Sequence, residues 1–201
     1  MIILALDTSS VTVSVAVLSD DTVLAYREQT MARGHGEVLI PMIQQVLSDA
    51  GTDVSCLDGV AVAVGPGSFT GVRVGLSTAR GIGLALNIPV YGVTNFESAV
   101  YGVSNPVVAV LDTKRGDYFV QCFDKNGKAG EATTRSTEEM TALLPFVAVG
   151  DGAERLSADI GCDVVHNHIP SAVAVGKIAI AQQDNPLPPE PLYLRDADVT
   201  V

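Results

Sequence analysis

The sequence predicts an α/β protein built from two related lobes, of which the second is a shortened copy of the first. Strand-like apolar segments alternate with helical patterns along most of the 201 residues. The segment VVAVLDTKRGDYF repeats the pattern of IILALDTSSVTVS at an offset of 105 residues, which sets Asp112 on Asp7. Later, FVAVGDG repeats AVAVGPG at an offset of only 85 residues, so the second copy lacks a stretch where the first has a helix.

The first lobe begins with a three-strand meander, because alternating apolar residues are interrupted by the turn signal Ser19-Asp20-Asp21. One apolar stripe then predicts an amphipathic helix that Gly51 ends, and a glycine-rich loop leads into a second helix. The predicted strands are about 2–7, 11–18, 22–28, 59–64 and 88–93, and the predicted helices are about 36–50 and 70–86.

The second lobe repeats this order, with helices near 137–144, 152–158 and 170–184. The tail PLPPEPLYLR is predicted to be extended, with a short YLR strand. Two lobes that each open with an aspartate at the end of the first strand are typical of the actin-like and sugar-kinase ATPases, the ASKHA or ribonuclease H-like fold. We place the lobes at 1–104 and 105–201.

Asp7, Thr8 and Ser9 are the candidate cofactor-binding residues, because that fold holds nucleotide between its lobes, against the turn after each first strand. A carboxylate and hydroxyls at a turn suit magnesium and phosphate. The alternative is that these residues only form the turn. The matching Asp112-Thr113-Lys114-Arg115 offers two cations to a phosphate or to solvent.

Charge and composition narrow the function. With 12 Lys+Arg against 23 Asp+Glu the net charge is −11, a poor match for nucleic acid, so we expect RNA to be held by a partner. Three separated cysteines suggest reduced thiols and no zinc site. No apolar stretch approaches the ~20 residues that span a bilayer, which predicts a cytoplasmic protein without a membrane role.

The loop GPGSFTG resembles a phosphate-binding turn but lacks the Lys-Ser/Thr of a P-loop, and its glycines are spaced one residue too far for a dinucleotide site. In the following helix, small residues recur every four positions from Gly71 to Gly83. Each interior glycine costs about 0.8–1 kcal/mol of helix stability relative to alanine, so something must approach this helix closely. The neighbour is the 36–50 helix, a helix of another chain, or both.

Histidine offers little chemistry. His35 stands alone before a helix, and His166-Asn167-His168 has no nearby carboxylate or cysteine to complete a metal site. No hydrolase or zinc-protease signature is present.

Several segments together resemble the TsaB (YeaZ) family, in order along nearly the whole chain: LALDTS, LIPMI, AVAVGPGSFTGVRVGLSTARGIGLALNIPVYGV, LDTKRGDYF and PLYLR. The resemblance implies a non-catalytic partner of TsaD, the subunit that makes threonylcarbamoyladenosine at position 37 of tRNAs. It implies a complex that also includes the ATPase TsaE, in which helices of the first lobe pack against those of TsaD. Homodimer formation by the free protein stays open.

The catalytic sister TsaD carries two metal-binding histidines in a stretch that corresponds here to residues 92–99. Those two positions hold Asn95 and Ala99, so the resemblance implies no catalytic residue and no metal. It also implies no cofactor of this chain's own, with ATP or ADP bound only in the complex. A small ATPase or kinase that uses the inter-lobe cleft is the rival hypothesis, and a metalloprotease is disfavoured. The predicted assembly contacts are Leu39, Met42, Ile43, Val46, Gly75, Leu76, Ala79 and Gly83.

Overall fold

The computed structural model describes residues 1–167 and 171–194, which form two compact units. The first unit comprises Met1–Ser98 and the described residues of Ile169–Leu192, and the other described residues form the second. Each unit is built around one five-stranded mixed sheet.

The first sheet has the order β3-β2-β1-β4-β5. The meander β1–β2–β3 is antiparallel, and β1, β4 and β5 are parallel, with helices as the crossover connections. Its elements are β1 (Ile2–Asp7), β2 (Thr12–Ser19), β3 (Thr22–Thr30), α1 (His35–Asp49), a 3₁₀ turn (Val54–Cys56), β4 (Gly59–Ala63), α2 (Phe69–Leu86), β5 (Val90–Val93) and α3 (Asn95–Val100).

The second sheet has the order β10-β9-β6-β7-β8, which is the same topology as the first, with β6 in the place of β1. Its elements are β6 (Val107–Asp112), β7 (Tyr118–Phe123), β8 (Thr133–Arg135), α4 (Thr137–Thr141), β9 (Val147–Val149), α5 (Ala153–Ile160) and β10 (Asp163–Val164), followed by α6 (Ser171–Ala181). The predicted duplication is therefore confirmed, and the shortening falls on the first helix of the copy, where five-residue α4 replaces fifteen-residue α1.

Three layers make up the first unit. Leu4 and Leu6 of β1 join the core beneath α1 and α2, whereas Ala5, which points to the opposite side of the strand, lies against α6 at Gly176. A side chain at Gly176 would overlap Leu18, so the glycine brings α6 close to the sheet.

Helix α6 does not belong to the lobe in which the predicted boundary placed it. We predicted a second lobe over 105–201, but α6 packs on β1, β2 and β4 and belongs to the first unit. Seven of the eleven residues of α6 are buried. The repeat in the sequence predicts the strands of each sheet, but it does not say which sheet an apolar helix covers.

The predicted helix 170–184 is observed at Ser171–Ala181, with residue 170 outside the described residues. The tail has no helix, but it bends at Pro189, where the Glu190 amide donates to the Pro188 carbonyl at 2.8 Å. Tyr193 and Leu194 form no strand, and Arg195 of the predicted YLR strand lies outside the described residues.

Candidate functional site

The turn after β1 is buried and closed by its own chain. One carboxylate oxygen of Asp7, Oδ1, accepts hydrogen bonds from the Ser9 amide at 2.8 Å and the Ser9 hydroxyl at 2.5 Å. The other, Oδ2, accepts from the hydroxyl of Ser171 at the start of α6. Asp7, Thr8 and Ser9 are only 5%, 1% and 2% exposed. The three predicted cofactor-binding residues therefore lie together, and hydrogen bonds within the chain take three of the about four acceptor sites of the Asp7 carboxylate.

The glycines of GPGSFTG bring this turn into contact with α2. Ser68 donates its amide hydrogen to the carbonyl of Ser9 at 2.7 Å, and a Cβ on Gly67 would lie 2.5 Å from that same oxygen. The hydroxyl of Thr8 donates to the carbonyl of Gly71 at 2.7 Å, and a Cβ on Gly71 would overlap the carbonyl of Thr8. The glycines thus serve close backbone approach between two loops of one chain.

Two backbone amides at the start of α2 already donate hydrogen bonds within the chain. The Ser68 side chain caps the helix by accepting from the amide of Gly71 at 3.3 Å, and the amide of Ser68 is bonded to Ser9. Two amides that an anion would need at this helix start are engaged. The geometry favours the structural turn over the phosphate loop.

The small-residue ridge of α2 also faces inward. A Cβ on Gly75 would lie 2.7 Å from the Thr8 hydroxyl, and one on Gly83 would overlap the side chain of Val90. The pattern predicts that something lies close to this ridge, and in the structure the close neighbours are the Asp7 turn and β5 of the same unit. The 36–50 helix and another chain were the neighbours expected from the sequence.

The predicted assembly contacts need a correction, because all eight lie in the core of the first unit. The most exposed of the apolar ones is Met42, at 9%. The amphipathic stripes of α1 and α2 bury themselves against their own sheet. The opposite faces of the two helices carry exposed apolar side chains, with Ile40 48% exposed, Phe69 37% and Leu84 86%.

The residues at the sister family's metal positions have structural roles. Asn95 donates to the Ser9 hydroxyl at 2.5 Å and accepts from the Gly65 amide at 3.2 Å, which ties α3 to the Asp7 turn and the glycine loop. Ala99 has no ligating atom in its side chain, and its carbonyl accepts from the Asn167 amide group at 2.8 Å.

Glu97 keeps an acidic side chain but uses it to organise the start of α3. Its Oε2 accepts from the amide of Thr94 at 2.9 Å and from the Thr94 hydroxyl at 2.7 Å. The Thr94 hydroxyl in turn accepts from the amide of Glu97 at 3.1 Å. The two side chains bond reciprocally to each other's backbone, as in a capping box.

Asp112, the counterpart of Asp7, sits in a charged network. It pairs with Lys114 at 3.0 Å and with Arg155 at 3.1 Å, and Arg155 also lies over the ring of Tyr118. Burial raises the pKa of the Asp112 carboxyl, but hydrogen bonds from Lys114 and the charges of Lys114 and Arg155 outweigh it, so the pKa falls below its ordinary value. Lys114 is therefore paired with a carboxylate of its own turn.

The histidines lie apart. His35 contacts the carbonyl of Ser10 at 2.8 Å, His166 lies 3.1 Å from a carboxylate oxygen of Glu154, and His168 is outside the described residues. In the described part of the chain, no three His, Cys, Asp or Glu side chains form a group that could hold a metal ion. Among those same residues, no helix is long and apolar enough to cross a bilayer.

Two contacts could not be found by reading the sequence. Ser171 reaches Asp7 from 164 residues away, and Arg80 of α2 donates two hydrogen bonds to the carbonyl of Pro189 in the tail. The proline-rich tail signals only an extended segment, and nothing in its pattern says where it docks.

Known proteins give three comparisons. The family model described as TsaD, tRNA N6-adenosine threonylcarbamoyltransferase, matches residues 27–164. The tRNA threonylcarbamoyladenosine biosynthesis protein TsaB of Escherichia coli is 35% identical over 166 residues, covering 79% of this chain and 69% of the relative. The structure of YeaZ from Pseudomonas aeruginosa superposes with a TM-score of 0.76 at 23% identity, over 96% of this chain and 99% of that one.

The nucleotide-binding branch of the fold is also represented. The activator of 2-hydroxyisocaproyl-CoA dehydratase from Clostridium difficile, solved with bound ADPNP, gives a TM-score of 0.61 at 10% identity, over 92% of this chain and 96% of that one. At this identity the match concerns the fold alone, and the predicted actin-like ATPase fold is confirmed.

Proposed function

The chain belongs to the TsaB family of tRNA threonylcarbamoyladenosine biosynthesis proteins, and on this premise we propose that it is the non-catalytic scaffold subunit that binds TsaD. Family membership supports a role in making the modified adenosine. The scaffold role, the lack of catalysis by this chain alone and the partner are the parts that the proposal adds.

The observation that carries the proposal is the pair Asn95 and Ala99. By the resemblance to TsaD, these side chains stand where that catalytic family has its metal-binding histidines. Asn95 is committed to Ser9 and Gly65, and the Ala99 methyl cannot ligate. Glu97 is engaged with Thr94, which supports a chain without a catalytic site at this position.

The Asp7 turn supports a chain that holds no nucleotide of its own. In the unit described, both carboxylate oxygens of Asp7 are engaged, and the glycine loop presses against Thr8 and Ser9. We propose that ATP or ADP is bound only in the assembled complex. The rival ATPase function would require this turn to open.

The outer faces of α1 and α2 are the proposed assembly surface. We define it by Ile40 of α1 and by Phe69, Arg73 and Leu84 of α2, with Arg73 stacked on the Phe69 ring at 3.7 Å. Leu84 is the most exposed large apolar side chain of the described residues, and Ile40 and Phe69 are also exposed on the same two helices. When TsaD is absent, we propose that two copies associate through the same surface, more weakly than the chain binds TsaD.

The other partners follow from the same role. With a net charge of −11, the chain meets tRNA only through the complex. TsaE joins that complex, which acts in the cytoplasm where tRNA is modified.

Co-purification with TsaD, followed by a mass measurement of the complex, tests the scaffold role directly. We expect a complex with TsaD, and modification of tRNA only when TsaD is present. Robust, chelator-sensitive modification by this chain alone would overturn the proposal. A nucleotide titration of the isolated chain separates the rival, since an ATPase would bind ATP without any partner.

A further inference from the structure

The segment 186–192, here called the strap, is fixed at both ends by backbone hydrogen bonds. The amide of Gly92 in β5 donates to the carbonyl of Leu187 at 2.8 Å, and the amide of Leu192 donates to the carbonyl of Val64 at 2.8 Å. Prolines occupy four of its seven positions, and each fixes its own φ near about −65°, which stiffens the backbone. The strap therefore runs from the edge of the sheet to the end of β4.

Glycines make room for the strap at both anchor points. A Cβ on Gly92 would lie 2.5 Å from the carbonyl oxygen of Pro188, and one on Gly65 would lie 3.1 Å from that of Leu192. Gly65 opens the loop GPGSFTG, so one of the glycines that suggested phosphate binding also seats the tail.

Arg80 of α2 is held by the middle of the strap. Its Nε–H donates to the carbonyl of Pro189 at 2.9 Å, and an Nη–H donates to the same oxygen. A guanidinium has five N–H donors in a rigid fork, so two bonds to one backbone oxygen fix its orientation. Within the described residues Arg80 makes no ion pair with any carboxylate.

The charge of Arg80 lies on a helix without acidic residues. Neither Asp nor Glu occurs in α2, although the chain as a whole carries 23 of them. Leu84, 86% exposed, follows Arg80 by four residues and so lies beside it on the helix surface. A fixed cation next to a bare apolar side chain matches a partner helix that presents a carboxylate beside an apolar residue.

We propose that the strap positions Arg80 to receive a carboxylate of the partner, which makes Arg80 a specificity residue of the assembly surface. This inference rests on the proposed function and names the chemistry of the partner's face. A second copy of this chain is a poorer occupant. A symmetric contact through α2 would bring Arg73 and Arg80 toward their own copies, positive charge against positive.

The test measures the affinity of the full chain for TsaD with Arg80→Met, Arg80→Lys and Arg80→Glu. Lys125→Met is the control, since Lys125 is an exposed cation in the second unit and its loss changes the net charge equally. We expect Arg80→Met to weaken binding about tenfold, Arg80→Glu to weaken it further, and the control to bind like the wild type. Arg80→Lys should weaken binding to TsaD less than Arg80→Met does, because lysine keeps the positive charge but lacks the planar guanidinium group.

A double-mutant cycle tests the strap itself. Replacing Pro188 and Pro189 with glycine loosens the strap, which should weaken binding in the wild-type background but not in Arg80→Met. Without any partner, Arg80→Met should speed amide hydrogen exchange at Leu192 and Gly92. Unchanged exchange, or additive effects in the cycle, would overturn the positioning role.

Three further outcomes are decisive. Wild-type affinity for TsaD in Arg80→Met, while the wild-type chain does bind, overturns this inference and leaves the proposed function standing. Weaker self-association of Arg80→Met with unchanged TsaD binding would show that Arg80 serves a contact with a second copy, which also overturns it. Failure of the wild-type chain to bind TsaD overturns both.

Discussion

The carbonyl oxygen of Thr8 occupies the position where a side chain at Gly71 would begin. The Thr8 hydroxyl also donates a buried hydrogen bond to the Gly71 carbonyl. The two residues are therefore linked by a close backbone contact and by this hydrogen bond. The glycine loop and the Asp7 turn, two features that in isolation suggest nucleotide binding, are packed against each other.

Gly71→Ala is therefore expected to destabilise the monomer, although alanine is the better helix former. The clash is with backbone, which cannot move aside, and overpacking costs about 1–3 kcal/mol. Gly75→Leu should lose more unfolding free energy than Gly71→Ala, because the leucine side chain would meet the Thr8 hydroxyl and Val62. Urea unfolding of the isolated protein measures both.

Gly81 provides the matched control in the same helix. A Cβ there has nothing within 4 Å, so Gly81→Ala should stabilise the protein by about 0.8–1 kcal/mol. If Gly71→Ala stabilised the protein as much as Gly81→Ala, the close approach to Thr8 would have no energetic weight.

Leu39 and Ile40 are neighbours in α1 with opposite roles. Leu39 is fully buried and Ile40 is 48% exposed. Leu39→Ala should cost about 2–5 kcal/mol of unfolding free energy, whereas Ile40→Ala should cost less than about 1 kcal/mol. Thermal denaturation without a partner distinguishes them, and equal losses would contradict the burial.

At the exposed face of α2, a substitution should affect binding to TsaD and leave the stability of the monomer almost unchanged. Leu84→Asp leaves an exposed position exposed, so the monomer should melt near the wild-type temperature while binding to TsaD falls at least about tenfold. Leu143→Asp, at an apolar position 40% exposed in the second unit, is the control and should bind normally. Full binding by Leu84→Asp would remove α2 from the proposed surface.

The pH dependence of stability should reveal the Asp112 network. Because its folded pKa is lowered, Asp112 contributes stability above its unfolded pKa of about 3.9, and that contribution is lost as the pH falls through the folded pKa. Asp112→Asn should therefore lower stability at pH 7 and make it less sensitive to acid below about pH 4. The exposed Asp184→Asn is the control, and identical acid profiles for the two variants would refute the assignment.

The free chain should bind tRNA negligibly at a salt concentration of about 0.15 M, because a net charge of −11 repels phosphates. A filter-binding or fluorescence-anisotropy titration measures this. A micromolar or tighter complex formed without partners would contradict the prediction that RNA is held by other subunits.

The sequence by itself determined most of the elements and their duplication, although the short helix α3 was not predicted. Strands and helices leave periodic apolar patterns in short windows, so the β1–β5 segment and its shortened copy were predictable from residue spacing. That Asn95 and Ala99 correspond to the metal positions of TsaD came from the family resemblance, and of the two only the alanine side chain has no atom that could ligate a metal.

Only the tertiary structure decided what each surface meets. The small residues of α2 predict a close neighbour but not which one. The neighbours observed are Thr8, more than 60 residues away, and Val90 of β5. Likewise, α6 covers the first sheet, Ser171 closes the Asp7 turn and Pro189 holds Arg80. These contacts join segments far apart in the chain, so they depend on how the whole core packs, which no local pattern encodes.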